Sequence, residues 1–276
     1  MIAERDRDIA ASLAGGIGDF DLSGAIAYRC GARNLASPAL PVQRSDFMLD
    51  SRDAALFADA AIAFDLDGTL VDTAPDLLRA LNAVIEPRGL EPVALAAVRA
   101  MVGRGALALL ERAHAAQSVR LEDPEAAVAD FIEIYQSDVA AHSTPFEGVE
   151  TTLAWLRAQG CRLSVCTNKP SVLSDMLIGE LGLSGYFDRI IGPERTTAKK
   201  PAADHLLDAL GDGYARAALV GDSEPDVASA AAATLPSVIM SYGYSERPAG
   251  SLGADRVIHA FSDVPLALAE IWRGST

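Results

Sequence analysis

Two aspartates, Asp65 and Asp67, follow the short apolar run Ala60-Ala61-Ile62-Ala63-Phe64 and precede Gly68-Thr69. A run of that length and composition predicts a buried strand, so the pair falls where the strand ends. An unpaired carboxylate is too costly to bury in a dry core. The carboxyl ends of strands in an open α/β sheet instead offer solvent, a cation and a substrate. Three further polar sets follow comparable apolar runs or open helices: Thr167-Asn168, Lys200, and Asp222-Ser223 with Asp226. Oxygen-only ligands in this number suit magnesium far better than zinc. With Lys200, Thr167 and backbone amides they would surround a phosphate.

The chemistry this predicts is covalent phosphoryl transfer. Asp65 attacks phosphorus in line and becomes an aspartyl phosphate. Asp67 protonates the leaving alkoxide, then deprotonates the hydrolytic water. Asp65, the main-chain carbonyl of Asp67, and Asp222 are the expected magnesium ligands, with Asp226 supporting them. Lys200 would neutralise Asp65 and the phosphate, while Thr167 and Asn168 would bond phosphate oxygens or hold the nucleophile. No P-loop or dinucleotide glycine pattern is present.

The elements that must position these residues alternate. Strands are expected at 162–166, 189–191, 217–220, 237–240 and 256–258, with helices at 149–158, 171–181, 202–210 and 225–233. Such alternation implies a parallel sheet with right-handed crossovers. Between 76 and 143 the pattern is helical throughout, with a first helix from Thr73 or Asp76 and others near 92–102, 104–117 and 124–141. That block is too long for a loop. The fold class is therefore α/β: a three-layer Rossmann-like parallel-sheet core (60–75 and 145–276) with an inserted all-helical cap domain (76–144). The junctions near 74–76 and 143–147 are its expected hinges. Residues 1–47 carry no sustained period and are expected to be poorly ordered and dispensable, with folding chain starting near Met48.

The 276 residues carry a net charge of −15, which argues against general binding to nucleic acid or anionic membrane. An anionic substrate then needs a local cationic pocket. Three cysteines, Cys30, Cys161 and Cys166, show no metal-ligand spacing. A reducing cytoplasm fits them, and no signal-peptide core or membrane-length run is read. His114, His142, His205 and His259 share no ligand spacing and are read as structural. Trp155 and Trp272 are expected packing anchors.

FDLDGTLVDT, CTNKP, KKP and GDSEPD, in that order, resemble the four motifs of the haloacid dehalogenase superfamily. The resemblance spans about 62–266, and the helical block is similar to that superfamily's cap. FDLDGTLVDTAPDL, MVGRGALALLERA, PFEGV, CTNKP and SYGYSE further resemble the phosphoglycolate phosphatases. That resemblance implies magnesium-dependent hydrolysis of 2-phosphoglycolate to glycolate and phosphate. Asp65 would be the nucleophile, Asp67 the acid/base, and Asp65, Asp67 and Asp222 the metal ligands. The third motif departs from the usual Lys-Pro-x-Pro, reading Lys200-Pro201-Ala202-Ala203. Arg104, followed by Gly105, is a candidate for the substrate carboxylate, carried over the phosphate by cap closure. Rival readings are a phosphatase or phosphomutase acting on another small ester such as a sugar phosphate, a dehalogenase, and a receiver domain. A dehalogenase needs no acid/base at Asp67, and a receiver carries its acidic residues in the reverse order. A small phosphate ester is the expected partner of a cytoplasmic monomer or homodimer.

Overall fold

Strand β1 (Ala60–Phe64) is buried at every position and lies between two parallel neighbours. In the computed structural model, which describes Leu49 and residues 51–274, it is central to a six-stranded sheet. The expectations for residues 1–47 and for Met48 fall outside the described residues. The other strands of that sheet are β4 (Arg162–Cys166), β5 (Arg189–Ile191), β6 (Arg216–Gly221), β7 (Ser237–Met240) and β8 (Arg256–Ile258). Their order is β5-β4-β1-β6-β7-β8, all parallel. A strand covered on both faces needs no polar alternation, which explains the unbroken apolar run.

The two faces of β1 still differ. Ala60, Ile62 and Phe64 belong to the larger apolar cluster, and Ala61 and Ala63 to the smaller one. The two sets alternate because successive side chains of a strand point to opposite faces. The larger cluster continues into helices Val149–Ala158 and Val264–Gly274, where Phe57 meets Trp155 and Trp272 edge-on at 5.0 and 5.3 Å. Both tryptophans are packing anchors, as expected. The last helix was not among the expected elements. The alanine face receives helices Ala203–Leu210 and Glu224–Ala232.

Residues 74–137 hold only helical elements: α1 (Ala74–Ile85), α2 (Leu95–Arg99), α3 (Ala106–Ala116) and α4 (Pro124–Ser137). α1 buries Leu77, Ala80, Leu81, Val84 and Ile85 and packs against α4. Asp123 caps α4, accepting from the Ala126 amide at 3.1 Å. The chain enters and leaves this segment through two short strands, β2 (Val71–Asp72) and β3 (Thr144–Pro145), paired antiparallel. A strand of two residues has no period to read, so the sequence did not announce them. Thr73 is the N-cap of α1, with no side-chain cap bond. Asp76 does something else: its Oδ2 accepts from His142 N (2.9 Å), Ser143 N (2.7 Å) and Ser143 Oγ (2.6 Å). A fully buried carboxylate thus clasps the two crossings together. No helix among the described residues is long and apolar enough to cross a membrane.

Candidate active site

β1 runs on into the site, because the Asp65 amide donates to the Val220 carbonyl at 2.9 Å. That bond holds the Asp65 side chain at the strand tip beside the end of β6. Lys200 Nζ stands 2.9 Å from Asp65 Oδ1 and 2.6 Å from Asp226 Oδ1. Asp226 is spent on this architecture. Its Oδ2 accepts from Asp222 N (3.2 Å), Ser223 N (3.0 Å) and Ser223 Oγ (2.8 Å), closing a capping box on helix Glu224–Ala232. Asp222 accepts from Thr69 Oγ1 at 3.2 Å and from the Tyr244 amide at 2.5 Å.

Three glycine positions make room for these carboxylates. A Cβ on Gly68, whose φ is +87°, would lie 2.5 Å from Asp222 Oδ2; one on Gly243 would lie 2.1 Å from Asp222 Cβ. At Gly221 it would meet the Asp226 carboxyl carbon at 2.3 Å. None of these atoms is the loose end of a long side chain, so a larger residue would displace an acid.

The cluster fits a divalent cation. Asp65, Asp222 and Asp226 each offer an oxygen within 4.8 Å of the others, and all three are buried. One lysine does not balance three carboxylates. Burial, opposed by Lys200 and reinforced by Asp226, pushes the Asp65 carboxyl up to about 6. Burial and the neighbouring Asp65 and Asp226 push Asp222 well above the usual carboxylate range. Asp65 Oδ1 accepts no hydrogen bond of good angle, leaving lone pairs for a further positive group. Lys200 is held firmly charged: burial pulls its pKa down, but Asp226 and Asp65 outweigh burial and raise it.

Asp67 turns away from this cluster. Its carboxylate lies with Lys169 Nζ, at 3.1 and 3.4 Å, and Lys169 also donates to Tyr135 Oη of α4 at 2.9 Å. The ammonium sits 4.3 Å from the Tyr135 ring centroid. Asp65 and Asp67 therefore have separate lysines, and both acids line one cleft, which opens between the strand tips and the helical segment. Thr167, Asn168 and Gly105 line it too. Thr167 is buried, and its Oγ1 accepts from the Lys169 amide at 3.2 Å. Asn168 Nδ2 donates to Gly103 O (3.3 Å) and Lys200 O (3.2 Å), tying the loop before α3 to the core. Arg104 is not among the residues lining this cleft. Its side chain is half exposed and lies 3.9 Å from Glu224 in a neighbouring hollow.

Sequence reasoning missed Lys169 and Tyr135. Lys169 stands inside the run Thr167-Asn168-Lys169, and three polar residues at a strand tip were the available signal. Tyr135 has helical core spacing and gave none. Tyr244 was also missed: its hydroxyl donates to Asp72 and accepts from the Ala74 amide (3.0 Å), so one residue touches both the acid cluster and the start of α1. His205 is structural but placed in the site: its Nδ1 accepts from the Lys200 amide at 2.9 Å, and its Nε2 faces the Ile191 carbonyl at 3.0 Å. Cys166, at the tip of β4, is an inert thiol, its pKa pushed up to about 12 by burial.

Residues 62–240 match the family model of the haloacid dehalogenase-like hydrolases. The chain belongs to that family. Within it, the chain is 47% identical over 213 residues to a phosphoglycolate phosphatase of Caulobacter vibrioides, covering 75% of this chain and 90% of the relative. It is 41% identical over 213 residues to one of Rhodospirillum rubrum, covering 74% and 88%. Among solved haloacid dehalogenase-like folds, a predicted phosphoglycolate phosphatase from Haemophilus somnus superposes with a TM-score of 0.65 at 27% identity, covering 74% of this chain and 95% of that one.

Proposed function

We propose that this hydrolase is a magnesium-dependent phosphomonoesterase that cleaves 2-phosphoglycolate to glycolate and phosphate through an aspartyl phosphate on Asp65. The observation that carries this reading is the division of labour at the tip of β1. One carboxylate sits in an acid cluster fit for a cation, and its near neighbour faces the opposite wall with a different lysine. The names of the curated relatives support the substrate.

Asp65 Oδ attacks phosphorus, the ester P–O bond breaks, and Asp67 gives its proton to the departing alkoxide, which leaves as the glycolate hydroxyl. Asp67 then takes a proton from water, the water oxygen bonds to phosphorus, and the P–O bond to Asp65 breaks, restoring both acids. Magnesium, when held by Asp65, Asp222 and the Asp67 carbonyl, supplies charge stabilisation for the transferring oxygens. Asp226 keeps Lys200 pointed at the nucleophile, and Lys200 offsets the negative charge that Asp65 and the phosphate share. Thr167 and Asn168 bond phosphate oxygens. Residues 76–144 act as a cap that moves about the β2–β3 crossings and excludes water from the acyl phosphate. The reaction takes place in the cytoplasm on a small soluble ester.

The test is phosphate release from 2-phosphoglycolate and a panel of sugar phosphates, with magnesium and with a chelator. Turnover of 2-phosphoglycolate that exceeds the panel and stops with the chelator is expected. A preference for hexose phosphates would overturn the substrate, and turnover indifferent to the chelator would overturn the mechanism.

A further inference from the structure

Asp76 clasps the two crossings to each other, but it does not tie them to the acid cluster. A separate set of bonds does, and it starts from Tyr242-Gly243-Tyr244, just past β7. The Tyr244 amide donates to Asp222 Oδ2 at 2.5 Å. The Tyr244 hydroxyl donates to Asp72 Oδ1 and accepts from the Ala74 amide at 3.0 Å, so it holds the last residue of β2 and the first of α1. Asp72 Oδ2 in turn accepts from Arg99 of α2 at 2.8 Å. Tyr242 adds a bond to the same turn and a contact to the return crossing. Its hydroxyl donates to Thr69 O at 2.9 Å, and its ring centroid lies 4.3 Å from that of Phe146, which follows β3.

The path Asp222–Tyr244–Asp72–Arg99 thus runs from an acid fit for a cation to a helix of the inserted segment. Asp72 is the shared joint: one oxygen takes a phenol of the core and the other a guanidinium of the segment. Tyr244 is buried, and its hydroxyl gives its single proton to the outgoing crossing. Its ring lies against the Gly68 turn, where a Cβ would come within 2.9 Å of Cγ and Cδ2, so the side chain cannot swing to that side. Both Asp222 oxygens are engaged by this neighbourhood, Oδ1 by Thr69 and Oδ2 by Tyr244. A shift of that carboxylate is therefore felt at both ends of the stretch 69–74. Tyr244 is not among the residues lining the cleft, so any effect it has on turnover must pass through its neighbours.

We propose that Tyr244 is a positioning residue that couples the acid cluster to the cap: it carries the setting of Asp222 to the outgoing crossing, which is held more tightly when the cluster is occupied, and this favours the docked cap. The inference rests on the cap and cation roles proposed above and adds the residue that links them. Tyr244→Phe is the informative variant, because it keeps the ring and the amide and removes only the hydroxyl that reaches Asp72 and Ala74.

The experiment reads hydrogen exchange over residues 69–76 in wild type and Tyr244→Phe, each with and without magnesium alone. Magnesium should slow exchange of that stretch about tenfold in wild type and by less than about twofold in the variant. No magnesium effect in wild type, or the same effect in both proteins, overturns the inference. These arms involve no phosphate release, so they stand or fall apart from the phosphatase reading. Kinetics then separate positioning from packing. A weaker hold on the crossing lowers the fraction of binding-competent molecules, so Tyr244→Phe should raise KM for 2-phosphoglycolate about tenfold and leave kcat within about twofold, the scale of one hydrogen bond to a charged group. Arg99→Met should do the same, and the double variant should be no worse than the poorer single one, since both act through Asp72. Factors that multiply in the double variant, or a loss in kcat in place of KM, overturn the inference. A wild type that releases no phosphate from 2-phosphoglycolate overturns the substrate instead, and the exchange arms then decide the inference alone.

Discussion

Lys200 and Lys169 are both buried lysines paired with an aspartate of the same strand tip, yet their surroundings differ. Lys200 lies between two carboxylates, Asp65 and Asp226, and its backbone amide is fixed by His205. Lys169 has one carboxylate, reached through both oxygens, and one phenol, and its partner Tyr135 comes from the helical segment rather than the sheet. The first arrangement is built by the sheet core alone, and the second needs the helical segment. A lysine between two carboxylates of the core fixes the direction of Asp65; a lysine shared by an acid and a phenol from another segment ties Asp67 to that segment.

The contrast can be broken in four places. The largest effect belongs to Asp65→Asn, which keeps shape and removes the proposed nucleophile: turnover should fall by about four orders of magnitude or more with an unchanged circular dichroism spectrum. Persisting turnover in that variant would end the covalent scheme. Next is Lys200→Met. Stranding Asp226 at full burial should cost about 3–5 kcal/mol of stability, read by urea unfolding. Lys169→Met should cost less, because Asp67 keeps partial access to water; equal losses would erase the distinction between the two lysines. Third, Asp67→Asn should slow turnover by about 100- to 10,000-fold, visible in both burst and steady-state phases, as expected for losing one acid/base.

The smallest effect is a pH dependence from His205. Burial, aided by the nearby Lys200 charge, lowers its pKa to about 4 from 6.5. Its geometry requires the neutral ring: Nδ1 accepts from Lys200, and Nε2–H donates to Ile191. The unfolded chain therefore takes a proton first as pH falls. This contribution is complete above pH 6.5 and is lost progressively toward pH 4, about 3 kcal/mol in all. His205→Asn should flatten that slope, measured as urea midpoints at pH 7.5 and 4.5. An unchanged slope would show that the Lys200 wall does not depend on a neutral imidazole.

Much of this was legible beforehand where chemistry and chain neighbourhood coincide. Asp65 and Asp67 could be placed at a strand tip because the five residues before them form a strand buried on both faces. Asp222 and Asp226 could be paired with the start of a helix for a similar reason, since a capping box is local. The helical run of 74–137 was visible from its period. Arg104 shows the limit: a guanidinium suits a substrate carboxylate, but the direction of a long side chain depends on what packs around it, and Glu224 lies that way.

The amino-acid order alone thus determined which acids stand on which strand ends, and hence the family and the proposed nucleophile, since strand formation and helix capping act within a few residues. Only the tertiary structure decided that Lys169 would meet Asp67 across 102 positions and Tyr135 across 34. The first contact exists because β1 and β4 pair in parallel and bring their ends together, the second because the helical segment folds back over those strand ends, and nothing periodic in the chain encodes a distance of that kind.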